Sequence, residues 1–236
     1  SLPVILFLPG SGERGDDDSR QLTSGLGPLL LRDGSRMRCI VVFPQSRPGD
    51  EWFGPMERQA LAALDQSMRE FHGDPARVYV TGVSMGGSGA WFMARHSGRF
   101  AAIVPISGEI VAAPDDPYPQ PLPADIRRIL ESPDPYSTLA TMIGRTPVWV
   151  FHGRNDPVIS VEESRKMVAA LRAAGGDVRY SELPDVGHDA WDIAYADPDL
   201  FLWLFAQHRS EPVHRFGRRK LRASAGSAVP RTKSGH

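Results

Sequence analysis

The sequence predicts an α/β protein: an open, doubly wound, mostly parallel sheet with helices on both faces. Three observations point there. Six short β-prone runs recur along 236 residues, helix-prone segments separate them, and the first five runs are nearly continuous in apolar residues. Strands apolar at successive rather than alternate positions are buried on both faces, as parallel strands between helix layers are. The length suits one large domain, or two small ones, and is enough to bury a substantial core.

The elements follow in order. The first strand is LPVILFLP (2–9), and it runs into the Gly-rich loop LPGSGERG. The second is MRCIVVFP (37–44), leading into FPQSRPGDEWF. RVYVTG (77–82) is the third, and MGGSGAWFMARH the helix behind it. AAIVPIS (101–107), PVWVFHG (147–153) and DVRYSEL (177–183) complete the set. Ser160 followed by Glu163 reads as a capping box for a helix with Met167, Val168 and Leu171 on one side. Asp197-Pro198 reads as an N-cap followed by the residue favoured at the first helical position.

Two segments leave this alternation. Residues 112–146 carry prolines at 114, 117, 119, 121, 123, 133 and 135 around one short amphipathic stretch, ADIRRIL. They read as an excursion over the carboxyl edge of the sheet, either a small lid or an inert surface loop. Residues 209–236 have no apolar period and read as a disordered basic tail on a domain spanning 1–208. Eight Lys or Arg against one acid give the tail a balance of +7, so the total of −1 leaves −8 on the remainder.

Hydrophobic content of 41% and charged content of 23% suit a soluble enzyme. Cys39 is the sole cysteine, so no intrachain disulfide forms, and both a cytoplasmic and a secreted address stay open. No apolar run approaches the roughly 18 residues of a membrane span. The basic tail alone is a weak reason to expect a nucleic acid or an anionic surface as partner, and neither is expected. The sequence has no CxxC, no HExxH and no phosphate loop. Neither metal nor organic cofactor is expected.

Gly82-Val83-Ser84-Met85-Gly86 is a G-x-S-x-G pattern set between a strand and a helix. A serine in a strained turn projects its hydroxyl clear of the sheet, and small neighbours let strand and helix pass where Cβ atoms at 82 and 86 would collide. Such a hydroxyl needs a base, and the base needs an orienting acid. The fifth strand runs out in FHGRNDPV, placing Asp156 in the next loop; the sixth is followed by LPDVGHDAW, placing His188. Ligands of open α/β sheets sit beyond the carboxyl ends of the strands, where all three residues converge. Asp185, Asp189 and Asp192 are rival acids in the loop of His188 itself. His152 reads as a packed or backbone-bonded residue, and His72, His96 and His208 as structural or exposed.

A tetrahedral intermediate needs donors. The N–H of Met85 follows the nucleophile, and a second comes from the first-strand loop, from Ser11 with Gly10 as alternative. Trp52, Phe53 and Trp191 read either as an aromatic substrate pocket or as packing under loops, with Trp91 in the core. Glu109 reads as a substrate contact or a solvated carboxylate, and Glu13 with Arg14 as a local ion pair or as surface.

LPGSGERGDDD, YVTGVSMGGSGAW, FHGRNDPVISVEESRKM and GHDAWDIAYADPDLFLWL resemble bacterial α/β-hydrolases of the prolyl-oligopeptidase-like and phospholipase/carboxylesterase type, among them feruloyl esterases and dienelactone-hydrolase relatives. The resemblance runs from about residue 3 to residue 207. It implies Ser84 as nucleophile, Asp156 as acid, His188 as base and an oxyanion hole at Ser11 and Met85. Pro9 stands where such proteins commonly have a histidine, and the antiparallel strands that open the fold are not expected before residue 2. The implied activity is hydrolysis of small, aromatic or carbohydrate esters by a monomer or homodimer. An oligopeptidase-type serine peptidase and a non-catalytic binding protein on the same scaffold are the competing readings.

Overall fold

The computed structural model describes residues 1–34, 37–96 and 98–209. Six strands form one sheet in the order β2-β1-β3-β4-β5-β6, and every pairing is parallel. They are β1 (Leu2–Leu8), β2 (Ile40–Val42), β3 (Gly73–Val83), β4 (Ala102–Ile106), β5 (Val148–Gly153) and β6 (Val178–Leu183). Eight helices accompany them among the described residues: α1 (Leu26–Asp33), α2 (Pro55–Glu70), α3 (Met85–Met93), α4 (Ala124–Leu130), α5 (Pro135–Ile143), α6 (Val161–Ala173), α7 (Ala190–Ala196) and α8 (Pro198–Ala206).

The apolar runs explain the layering. Along β1, Val4, Leu6 and Leu8 face a core shared with α2 to α6, while Ile5 and Phe7 face a second core shared with α1, α7 and α8. Successive side chains of a strand point to opposite faces, so a strand covered on both sides is apolar throughout. The expected doubly wound sheet is the observed one. All six expected strands are present. β2 is shorter than the run 37–44 and has a ladder to β1 alone. β3 is longer than 77–82 and has partners on both sides.

The order 2-1-3 makes the switch point. The chain leaves β1 for β2 through α1 on one face, then returns across β1 to β3 through α2 on the other. The loops after β1 and β3 therefore open side by side, with Leu8 in register with Gly82. A crevice between such loops is where open α/β sheets hold ligands.

Two readings of local structure change. The excursion at 112–146 contains a second helix, α5, and both of its helices bury apolar faces, Ile126 and Ile129 on α4 and Leu139, Ala140 and Ile143 on α5. Asp134 caps α5 by accepting from Tyr136 N and Ser137 N, with Pro135 at the first helical position, so the prolines there start an element. At α6, Ser160 caps by accepting from Glu162 N at 3.3 Å, but Glu163 does not close a capping box. Its carboxylate instead accepts from Ile110 N and Val111 N, each at 3.0 Å, and from Tyr136 Oη at 2.5 Å. The N-cap at Asp197 is as expected and accepts from Asp199 N. Of the tail expected at 209–236, residues 210–236 lie outside the described residues, and Arg209 is tied to the domain, donating its N–H to Ala76 O at 2.8 Å and its Nη1 to Gly98 O at 2.7 Å. No helix among the described residues is long and apolar enough to cross a membrane.

Because α4 is seated in the main core, Ile126→Ala should lower stability by about 2–5 kcal/mol, as core truncations do. Denaturant unfolding should show this as a shifted midpoint in a single transition. An unshifted midpoint would mean that the 112–146 segment is not part of the cooperative unit.

Candidate active site

Ser84 ends the β3 turn with φ 55° and ψ −122°, a conformation that L residues rarely adopt. It is held from both sides: its N–H donates to Ile106 O at 3.0 Å, and its carbonyl accepts from Ser88 N at 3.0 Å. Space forces the neighbours to be glycine. A Cβ on Gly82 would lie 2.1 Å from Gly86 O, and one on Gly86 would lie 1.8 Å from Leu8 O. The second clash is with the end of β1, so the turn is wedged against the neighbouring strand as well as its own. Gly87 approaches Ile106 O in the same way, at 2.4 Å from an ideal Cβ.

The hydroxyl of Ser84 lies 2.8 Å from His188 Nε2, and His188 Nδ1 lies 2.7 Å from Asp156 Oδ2. Three residues from three loops thus form one hydrogen-bonded chain. None of Asp185, Asp189 and Asp192 takes the Nδ1 position; Asp156 does. The Asp156 side chain is fully buried, and its Oδ1 accepts from Val158 N at 2.8 Å and Ile159 N at 2.9 Å. Burial alone would raise this carboxyl, but the hydrogen bonds from His152, His188, Ile159 N and Val158 N outweigh it and hold the group well below the usual carboxylate range. His188 is fixed from behind, where Ser107 Oγ donates to its carbonyl at 3.0 Å. Gly153 and Gly187 let the two loops meet: a Cβ on Gly153 would lie 1.9 Å from Gly187 O. The sequence reading missed that pair, and the HG and GH dipeptides were the signal.

The loop after β1 comes up beside Ser84, with an ideal Cβ on Gly10 at 3.6 Å from Ser84 Cβ. Ser11 opens a 3-10 turn and Met85 opens α3, so neither N–H has a partner within its own helical turn. Both residues line a cavity of 390 Å³ with Ser84. Trp52 is a correction. It is buried, and its indole N–H donates to Pro9 O at 2.8 Å, so it supports the loop from below and does not line the substrate pocket. Phe53 is likewise core, edge-on to Phe92 and Tyr118, and Trp91 is core as expected. Arg14 does not pair with Glu13. It pairs with Glu51 at 2.5 Å and donates to Asp50 O at 2.9 Å, tying the loop to the segment after β2. Gln45, unremarked in the sequence, braces the same loop by donating to Glu13 O and accepting from Asp18 N.

Trp191 and Glu109 line different cavities beside Ser84. Trp191 stands edge-on to His188 at 5.3 Å between ring centres and lines a 270 Å³ cavity with Gly10, Ser11, Ser84 and His188. Glu109 lines the 390 Å³ cavity together with Glu51, Asp115, Asp116 and Tyr118. Its loop is fixed by Ser88 Oγ, which accepts from Glu109 N at 2.9 Å, and by Glu163 at the two following N–H groups. Burial, then the nearby Glu163, Glu51 and Asp116, push its carboxyl up to about 7. A larger groove of 890 Å³ between α1 and α7 shares Trp191 but touches neither Ser84 nor His188. Chemistry, not size, singles out the site.

Comparison with known proteins agrees with this architecture. The model of the prolyl oligopeptidase family matches residues 57–199. The chain is 27% identical over 218 residues to the "Probable carboxylic ester hydrolase LipM" of Mycobacterium tuberculosis, covering 81% of this chain and 50% of that protein. A solved structure described as a thermostable esterase superposes with a TM-score of 0.71 at 28% identity, over 89% of this chain and 55% of the other. An acylaminoacyl peptidase of Pyrococcus horikoshii shares the fold, with a TM-score of 0.62 at 16% identity over 87% of this chain and 37% of the other. The chain spans half the length, or less, of the curated relatives it matches. The fold is that of an α/β-hydrolase.

Glu109 generates a stability prediction. Its folded-state value lies above the ordinary 4.5, so the folded chain holds this proton more tightly than the unfolded chain. Its contribution is fully present below pH 4.5 and is lost as pH rises to about 7. Glu109→Gln should remove that loss, making stability flatter across this window in denaturant titrations. Parallel wild-type and variant curves would contradict it.

Proposed function

The chain belongs to the prolyl oligopeptidase family, and from that premise we propose that it is a serine hydrolase of small carboxylic esters. The observation that carries the reading is the relay from Ser84 Oγ through His188 to Asp156, with links of 2.8 and 2.7 Å. The likeness to an ester hydrolase and to an esterase structure supports the choice of ester over other acyl compounds.

In this reading Ser84 Oγ attacks the carbonyl carbon while His188 Nε2 takes its proton. Asp156 holds the Nδ1 proton and stabilises the imidazolium that forms. The N–H groups of Ser11 and Met85 receive the developing oxyanion. His188 then protonates the leaving oxygen, the alcohol departs, and a water repeats the sequence on the acyl-enzyme. No cofactor enters.

The proton donor fixes the sides. The leaving oxygen must lie within hydrogen-bond reach of His188 Nε2, so the alcohol occupies the cavity that His188 and Trp191 line. The acyl group extends away from His188, into the cavity of Glu109 and Tyr118. Trp191 gives an aryl alcohol a flat apolar wall. Residues 113 and 115–119 of the Pro-rich segment line this cavity, which supports reading that segment as a lid over the acyl side. The family match favours a second reading, cleavage of short peptides by the same residues.

Ser84→Ala should abolish both ester turnover and covalent capture of a fluorophosphonate, with capture in the wild type mapping to Ser84. Labelling elsewhere, or none, would remove the nucleophile from the proposal. A matched ester and anilide of one acyl group separate the two readings: the ester reading expects turnover of the ester only. Trp191→Ala should raise KM for aryl esters by about 3- to 10-fold while leaving alkyl esters of the same acid unchanged. Equal losses on both would detach Trp191 from the alcohol side.

A further inference from the structure

We infer that His152 is a second histidine of this site, a positioning residue that clamps the Asp156 loop and shares one N–H between the carbonyl of Ile159 and the carboxylate of Asp156. The ring is completely buried, on the penultimate residue of β5. Its Nε2 lies 3.0 Å from Ile159 O and 3.2 Å from Asp156 Oδ2. Both neighbours are acceptors, so Nε2 carries a proton. The better-aligned bond runs to Ile159 O, and the carboxylate oxygen takes the off-axis share. On the other side, Nδ1 lies 2.7 Å from Ser164 Oγ, itself buried on α6. Both ring nitrogens are engaged, which fixes the ring plane.

The arrangement closes a circuit. Ile159 donates its N–H to Asp156 Oδ1 and accepts from His152 through its carbonyl. Asp156 Oδ2 then faces two imidazoles, His188 Nδ1 at 2.7 Å and His152 Nε2 at 3.2 Å. One carboxylate is held by a loop on one oxygen and by a strand-borne ring on the other. A side chain needed only to fill space here would be apolar, since a buried imidazole is costly unless both nitrogens are satisfied. His152 transfers the rigidity of β5 to the loop that orients His188, where small displacements of a reacting group are expensive in rate. The kinetic part of this inference rests on the proposed relay; the structural part does not.

The test compares His152→Leu, which fills the space without a donor, with His152→Gln, whose amide nitrogen reaches the Nε2 position. Two quantities are measured: kcat and KM on an ester turned over by the wild type, and the far-downfield proton resonance of the His188 Nδ1–H bonded to Asp156. His152→Leu should lower kcat by about 10- to 100-fold with little change in KM, and should move the resonance. His152→Gln should restore most of kcat and return the resonance. Wild-type kcat and resonance in His152→Leu, or a Gln variant no better than the Leu variant, would overturn the inference. Should His152→Leu not fold, His152→Asn replaces it, its amide reaching the Nδ1 position; Gln must then outperform Asn. A wild-type chain inert toward every ester would sink the proposed hydrolase, and the resonance, which needs only the Asp156–His188 pair, would still decide the role of His152.

Discussion

One contact organises the carboxyl edge of this sheet: the backbone of Gly86 laid against the carbonyl of Leu8, with no room for even a methyl group between them. Because β1 and β3 are adjacent and parallel, the turn that carries Ser84 has a strand end beside it and is pressed onto it. The serine is left in a backbone conformation that it would not hold alone, and bonds to Ile106 O and from Ser88 N keep it there. The Gly-rich loop after β1, the helix dipole of α3 and the hydroxyl then come together as one object. Preorganisation here is a packing result before it is an electrostatic one.

The same device recurs two strands away. Gly153 at the end of β5 touches Gly187 beside His188, so the loops bearing Asp156 and His188 are joined backbone to backbone. Hydrogen bonds finish the placement: Val158 N and Ile159 N on Asp156, and Ser107 Oγ on the carbonyl of His188. Close glycine contacts set where the loops lie, and polar contacts set where the side chains aim.

Much of this was legible in the sequence, for physical reasons. Apolar runs report burial on both faces, and the G-x-S-x-G pattern reports a steric conflict that only glycine resolves, so the sheet and Ser84 could be read directly. Asp156 and His188 followed because the loop after a strand end must lie at that edge. What could not be read was which partner a side chain chooses across the chain. Arg14 turned to Glu51 and not to its neighbour Glu13, and Glu163 turned to the loop after β4 and not to its own helix start. Trp52 looked like a pocket aromatic, yet its ring lies in the core and its N–H supports Pro9. The helix at 135–143 is absent from the sequence reading, which takes the Pro-rich segment as an excursion around one amphipathic stretch, although Asp134-Pro135 repeats the start signal recognised at Asp197-Pro198.

The cavity beside Ser84 carries Glu51, Glu109, Asp115 and Asp116, together with Arg14, which is already engaged by Glu51. Under the proposed chemistry a neutral ester enters this space and an anionic acid is made in it. Like charges brought into one cavity repel. Under that chemistry the exposed carboxylates Asp115 and Asp116 disfavour retention of the acid product, Glu109 adding less because its carboxyl is pushed up to about 7.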